Sequence, residues 1–511
     1  MNNTAFSDKA KNWQRLSPLS VIFFIGKFVT RLLKDALPSL APLAVVIFSS
    51  DNKAWLTLSI AAGIVALVII GSILQYWFFK FRQESNKILI NDGVFKKNHR
   101  VIQFDRIQNI NILQPIYFKP FELVTLQIET AGSKGNEADL SGIPRDFAEY
   151  LRNQVLQQIE NRETSSSELD QNNNIAQEQL IAKASLSDLV KYGVSSNGIF
   201  WFFVFLAPLF SMADDFLEKW ITKDDFSSFA EFLGGGIMGE IFIVFVILVT
   251  IIVLMFGFSI LGAILRYYNY RLTLRDQNNQ TQTLKRSSGL ITNYEESLKL
   301  QKVQAIIFQS NFIGRWLKII NLTLGQVSSS QVKAKNKRSL FVVPARTSQE
   351  SLSIQQTVFK NSPDQIQTKN IDKRYINKTI ALKVFFPSLF FTIFLYLSNN
   401  NLYTFGLPFA LSLIALPLVI KRWKAYRFGM KDGYGQFERG LFGFRHVLFP
   451  LYKVQRAEVR QSPIQRRRNL ATLKIYLASN QLQMQYIPID EAKKWLEVIG
   501  QEIEETNLAW Y

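Results

Sequence analysis

A short segment occurs three times in the chain, as Arg106-Ile107-Gln108, Lys302-Val303-Gln304 and Lys453-Val454-Gln455. Fifteen residues before each glutamine stands a glycine: Gly93, Gly289 and Gly440. A second glutamine follows in every copy, Gln114, Gln309 and Gln461, and then an apolar run. Each copy closes on an apolar-proline pair, Ile143-Pro144, Val343-Pro344 or Ile487-Pro488. A cassette repeated in this way implies three copies of one small domain. Any fold for the chain must therefore carry a threefold unit.

Long apolar runs separate the copies. Residues 56–79 form 24 positions without a charge, and residues 241–265 form 25. Either exceeds the roughly 20 helical residues needed to cross a hydrocarbon core about 30 Å thick. Residues 192–213 are also uncharged, and residues 384–420 are split into two short spans by Ser398-Asn399-Asn400-Asn401. Near the start, residues 16–30 contain Lys27, while residues 36–50 hold Pro38 and Pro42. That region reads as one broken or re-entrant helix after an interfacial amphipathic segment whose cations, Lys27, Arg31 and Lys34, reach the head groups. The expected membrane region is thus polytopic and α-helical, with about six spans in three pairs, one pair before each cassette.

A helix pair returns the chain to the side it left, so all cassettes share a side. Lys80 and Arg82 follow the second span, Arg266, Arg271 and Arg275 the fourth, and Lys421, Arg422, Lys424 and Arg427 the sixth. The loop inside the second pair is acidic, with Asp214, Asp215, Glu218, Asp224, Asp225 and Glu231. The excess of cations beside the cassettes places them, and both termini, in the cytoplasm of a cell whose membrane the chain crosses several times. The first residues contain no small-residue cleavage site after a short apolar core, so no removable signal peptide is expected.

Inside the cassettes the period changes to two. In the first copy Val124, Leu126 and Ile128 alternate with Thr125, Gln127 and Glu129; in the third, Leu473, Ile475 and Leu477 alternate with Lys474 and Tyr476. An amphipathic helix follows, with Phe147, Leu151 and Val155 at four-residue spacing in the first copy. Asp146 and Asp490 are its candidate N-caps in the outer copies, and Arg346-Thr347 shifts the cap in the second. The expected organisation is an N-terminal segment and first pair (1–82), a first domain (83–160), a polar linker (161–185) and a second pair (186–267). A second domain (268–360), a linker (361–379), a third pair (380–422) and a third domain (423–508) complete it.

Helix pairs each followed by a Gly-x14-Gln cassette resemble the YdbT-like bacterial membrane proteins, whose cytoplasmic unit is a YdbS-like bacterial pleckstrin-homology (PH) domain. The resemblance covers nearly the whole chain, including Leu186-Ser187-Asp188-Leu189-Val190-Lys191, and is most specific in the third copy. There Val454-Gln455-Arg456 and Gln461-Ser462-Pro463-Ile464-Gln465-Arg466 match the family's glutamines, Gln-Ser-Pro turn and arginine run. The first copy departs at Gln114-Pro115 and Lys119-Pro120, and the second has one residue fewer between its glutamines. The resemblance implies three small β-barrel or sandwich domains, each capped by a C-terminal helix, and no catalytic activity.

The composition narrows function. An apolar fraction of 48% with 42 Phe, beside a net charge of +19, suits a membrane protein with basic aqueous parts. No Cys and only two His remove thiolate sites and make His-rich metal sites improbable. No Walker loop, paired-carboxylate constellation or Gly-x-Ser-x-Gly turn occurs, so neither a catalytic site, a cofactor nor a metal is expected. The cations crowd the span flanks without a nucleic-acid motif, so nucleic acid is not expected as a partner. The densest cationic cluster, Arg456, Arg460, Arg466, Arg467 and Arg468, is the candidate site for anionic lipid head groups or a partner. Gly93, Gln108, Gly289, Gln304, Gly440 and Gln455 read as marks of the repeat whose role is structural. His99 and His446, six residues after their glycines, align with Glu295, which suggests an exposed strand position. The expected function is an envelope scaffold or adaptor whose domains bind a protein, a peptide, another copy or anionic lipid. The competing expectation is a lipid or peptide transporter component that uses the spans.

Overall fold

The computed structural model describes residues 12–32, 53–84, 86–94, 96–130, 138–163, 178–196, 236–277, 281–326, 341–399 and 402–505. The first domain contains β1 (Lys80–Glu84), β2 (Lys87–Asp92), β3 (Asn98–Gln103), β4 (Ile107–Pro115), β5 (Leu123–Thr130) and β6 (Ala138–Pro144), then the helix Arg145–Glu163. The second contains β7 (Glu178–Lys183), β8 (Arg271–Gln277), β9 (Thr281–Ser288), β10 (Thr292–Lys299), β11 (Val303–Ser310), β12 (Ile320–Gln326) and β13 (Phe341–Arg346), then Ser348–Val358. The third contains β14 (Lys369–Asn370), β15 (Arg427–Lys431), β16 (Tyr434–Arg439), β17 (Phe444–Pro450), β18 (Val454–Arg460), β19 (Leu470–Leu477) and β20 (Gln481–Pro488), then Ile489–Glu505. All pairings are antiparallel, and alternate residues such as Ile88 and Ile90, or Leu482 and Met484, enter the cores. The closing helices add the expected faces: Phe147, Leu151 and Val155 are buried in the first core.

Each hairpin tip before β3, β10 and β17 needs its glycine. Gly93 and Gly289 have φ of +103° and +122°, and a Cβ there would lie 1.9 and 2.0 Å from the Lys96 and Thr292 carbonyl oxygens. At Gly440 the Gly443 oxygen would be 2.2 Å away. These distances exclude any side chain without moving the turn.

The sheets do not stop at the domain boundaries. The strand orders are β1-β2-β3, β6-β5-β4-β10-β9-β8-β7, β13-β12-β11-β17-β16-β15-β14 and β18-β19-β20. Thus β4 of the first domain pairs with β10 of the second, and β11 of the second with β17 of the third. The linkers differ from the expectation of plain tethers: their ends form β7 and β14, which pair with β8 and β15. In the first domain Gln14 makes the corresponding bridge to Phe81. An unpaired outer edge there would leave backbone groups unsatisfied, and the linker supplies them. Residues 164–177 of the first linker lie outside the described residues.

The helices do come in packed pairs: Ser20–Arg31 against Lys53–Phe78, Leu186–Ser195 against Gly236–Tyr267, and the run from Arg374 to Asn399 against Leu402–Lys424. Among the described residues three helices are long and apolar enough to cross a membrane: Leu58–Phe78, Phe245–Tyr267 and Arg374–Leu395. The expectation of six spans is therefore not supported. Ser20–Arg31 has 12 residues, about 18 Å of helix, and its Phe24 is built into the first domain's core. Its Lys27 lies 3.8 Å from Asp139 of that domain, so this segment belongs to the sandwich more than to a span. Leu186–Ser195 is a ten-residue helix closed by a Ser185–Asp188 capping box, and residues 197–235 lie outside the described residues. So do Lys34, Asp35 and residues 36–50. Within the third span, the stretch Ala381–Phe385 widens to a π-turn just before Pro387, whose ring nitrogen has no hydrogen to donate.

Gly289→Ala should lower the thermal unfolding midpoint of the detergent-solubilised protein by forcing a left-handed alanine against Thr292, a loss on the order of 1–3 kcal/mol. Gly500→Ala, inside the helix Ile489–Glu505 with open space around its Cβ, should instead raise it slightly, alanine favouring the helix by about 0.5–1 kcal/mol.

Candidate functional site: shared strand edges and membrane-proximal turns

The three repeat-marking glutamines occupy the same irregularity. Each follows a single 3-10 turn, Phe104–Arg106, Leu300–Lys302 or Leu451–Lys453. Each is the bulge residue of its strand: the register shifts between Ile107 and Asn109, Val303 and Ala305, and Val454 and Arg456. A bulge bends the chain from one sheet of the sandwich into the other. The copies differ in cover, since Gln304 is fully buried and Gln455 is exposed.

β11, which carries Gln304, pairs across the second junction, whereas β18, which carries Gln455, ends its sheet. At the first, Gln114 lies opposite Asn293 and Ile112 opposite Glu295. Glu295 is buried, contrary to the exposed position expected from its alignment with His99 and His446. It accepts a hydrogen bond from Arg145 and lies 3.8 Å from both Arg152 and Lys285, so the first domain's closing helix docks on the second domain's edge strand through this carboxylate. Burial pushes the Arg152 guanidinium below its usual range even with Glu295 beside it. A cavity of about 460 Å³ opens next to this cluster, lined by Lys119, Arg271, Lys285, Glu178 and Glu295 among others.

At the second junction His446 lies opposite Phe308 and Arg445 opposite Gln309. Burial lowers the His446 imidazole, with Glu438 opposing that shift. Opposed residues serve two cores: Leu448 of β17 packs in the second domain's core, while Ala305 and Ile307 of β11 pack in the third's. Lys453 seals this junction. Its buried ammonium donates to the carbonyls of Gln301 and, at 2.7 Å, Val303. Desolvation brings it down to about 8. The signal for this residue was in the sequence, since Arg106, Lys302 and Lys453 repeat as a cation just before the bulge; nothing there distinguished a junction bond from a solvated face.

The turns joining β4 to β5, β11 to β12 and β18 to β19 lie against membrane helices. Lys119, in the turn Ile116–Phe121, donates to the Leu290 oxygen at 2.6 Å, and the Leu290 amide bonds Leu265 near the end of the second span. Asn311, which caps the turn Phe312–Trp316, donates to the Ser195 carbonyl. Arg374, the first residue of the third span, donates to the Arg468 carbonyl at 3.4 Å. These turns expose large apolar side chains beside cations: Phe312 is 68% exposed, Trp316 81% and Ile464 63%. The expected arginine cluster divides in two. Arg456 and Arg460 flank Glu458 on β18, each 2.8 Å from it. Arg466, Arg467 and Arg468 stand exposed in the turn, and none makes an ion pair among the described residues. The exposed Phe312 and Trp316, which flank Arg315 in the second domain's turn, leave no mark in the sequence, because a lone Phe or Trp gives no sign of facing outward. Lys333, Lys335, Lys337 and Arg338 lie outside the described residues.

Three sandwiches, each packed with a helix pair that includes one helix long and apolar enough to cross a membrane, define a tandem array of small membrane-anchored domains. The model of the bacterial PH domain matches the chain three times, over residues 22–159, 230–350 and 385–503, and the chain belongs to that family. Each match takes in a helix pair or part of one, so helix and sandwich together form the repeating unit. Among known proteins, the chain is 26% identical over 416 residues to the UPF0699 transmembrane protein YdbT of Bacillus subtilis (strain 168), covering 79% of this chain and 80% of that protein. No solved structure matches it. The chain is a membrane protein carrying repeated bacterial PH domains.

Replacing Glu295 by Ala should destabilise the first junction by about 3–5 kcal/mol, because Arg152 would be left buried without its carboxylate. Hydrogen exchange of β4 and β10 amides would register the loss. For Lys453 the folded value lies below that of the unfolded chain, so between about pH 8 and the ordinary lysine value near 10.5 the unfolded state binds more protons. Stability from this group should rise with pH across that window, and Lys453→Met should remove that rise from the pH profile of thermal unfolding.

Proposed function

We propose that the protein is a non-enzymatic membrane scaffold whose PH domains stand on the cytoplasmic face and engage anionic lipid through their span-side turns. The observation that carries this reading is the contact of Arg374, the first residue of a candidate membrane span, with the Arg468 carbonyl, in the turn that also exposes Arg466 and Arg467. Cations at that depth face the head groups, where each contributes on the order of 1 kcal/mol to attraction for an anionic leaflet. Trp316, Phe312 and Ile464 supply the apolar part of an interfacial contact, as amphipathic side chains do at membrane surfaces. The cations that follow the spans support a cytoplasmic orientation of the domains and a plasma-membrane location. Docking of envelope proteins on the remaining surfaces belongs to the same scaffold role, and the absence of a catalytic motif from the sequence supports the non-enzymatic part.

The test uses the full chain in nanodiscs of phosphatidylcholine with or without phosphatidylglycerol. The anionic lipid should raise the unfolding midpoint of the native protein, and the triple reversal of Arg466, Arg467 and Arg468 to Glu should abolish most of that increment. An unchanged increment removes the lipid reading.

A further inference from the structure

The two junctions are made by one operation: the second-sheet edge of a domain (β4, β11) pairs with the first-sheet edge of the next (β10, β17). Three domains in series leave one of each edge unused. β3 ends its sheet in the first domain and β18 ends its sheet in the third. Other outer strands are attended by the linkers. Ser17 bonds Gly142 of β6, Arg346 of β13 bonds the Lys183 carbonyl, and Asp372 bonds Tyr486 of β20. β3 and β18 instead keep six and seven residues with no proline inside them, and no covering segment among the described residues. Native proteins usually blunt such edges.

We infer that these edges are the two halves of a third junction, formed between copies: β18 of one chain pairs antiparallel with β3 of the next. The register follows from the first junction, because β4 and β18 share six-residue spacing of their glutamines. Gln114 faces Asn293, four residues after Gly289. The same rule sets Gln461 opposite Lys97, four residues after Gly93. Val459 then faces His99, Glu458 faces Arg100, and Ala457 faces Val101. Side-chain parity agrees. Ala457 and Val459 lean on the third core, as Ile306 does on the second, and Ile306 faces Leu448 across its junction. Val101 is the counterpart of Leu448, eight residues after its glycine; Leu448 is 3% exposed and Val101 54%. The apolar side chain that a preceding domain buries is thus present in the first copy and uncovered. On the other face Glu458 meets Arg100, opposite charges directly across a strand pair. The contact is heterologous, so it generates a ring or an open chain of copies within the membrane plane. It does not depend on the lipid-binding reading.

The chain contains no cysteine, which makes the test direct. Opposed residues of an antiparallel pair lie within disulfide reach. Differently tagged full-length chains, one Ala457→Cys and one Val101→Cys, are co-expressed and mildly oxidised in native membranes. The expected product is a dimer carrying both tags, with little dimer from either chain alone, and the double variant should give a ladder. Glu458→Arg should reduce crosslinking about two- to five-fold, the range of a cross-strand charge pair, and Arg100→Glu in the other chain should restore it. Absence of the mixed dimer, a crosslink confined to one chain, or an adduct with a different protein overturns the inference; restoration by the paired reversal distinguishes a true junction from chance collision.

Discussion

Antiparallel pairing between strands of different domains is the interaction on which the molecule depends. A PH-type sandwich of this size has a modest core, and a strand edge adds backbone hydrogen bonds that satisfy groups otherwise left to water. Here the pairing also shares side chains. Ala305 and Ile307 leave the second domain to enter the third core, and Leu448 returns the contribution. The domains are therefore not beads on a string. The second junction makes part of each core out of the neighbour's residues, and Glu295 and Lys453 lock the two joints by different chemistry: a carboxylate among cations in one, an ammonium on carbonyls in the other.

Much of this was legible in the sequence, and the reasons differ from element to element. Period-two alternation at Val124, Leu126 and Ile128 reports a strand with one face on a core, because the side chains obey the pleat whatever the partner strand. The glycines before β3, β10 and β17 are equally local: a carbonyl three residues away dictates them. The unit of helices plus sandwich was likewise carried by the order of apolar runs and cassettes. Pairing of strands across domains was not legible, since register between distant segments leaves no local mark. Glu295 illustrates the failure. Aligned with two histidines, it looked solvated, and it is buried only because the first domain's Arg145 and Arg152 arrive from another part of the chain.

The membrane region shows the opposite error. Residues 16–30, with Lys27, read in the sequence as part of a broken or re-entrant helix after an interfacial segment, but apolarity does not say which apolar environment a segment enters. Phe24 enters a protein core rather than lipid. The helix Ser20–Arg31 and the capped helix Leu186–Ser195 bracket the first two sandwiches to the apolar helices they pack on. Together with the turns that contact Ser195 and Arg374, they fix each domain to its own helix pair.

Pairing β4 with β10 has a consequence for how the chain comes into being. Ile112 emerges from the ribosome long before Glu295, and the whole second helix pair is synthesised between them. During that interval the first domain has an unfinished edge while an apolar helix beside it is being handed to the insertion machinery. The array cannot be completed one sandwich at a time; the edge by which each domain joins the next is filled only after the intervening apolar helix and the next domain's strands have been made. Assembly order, membrane insertion and folding are thereby coupled through a single row of backbone hydrogen bonds.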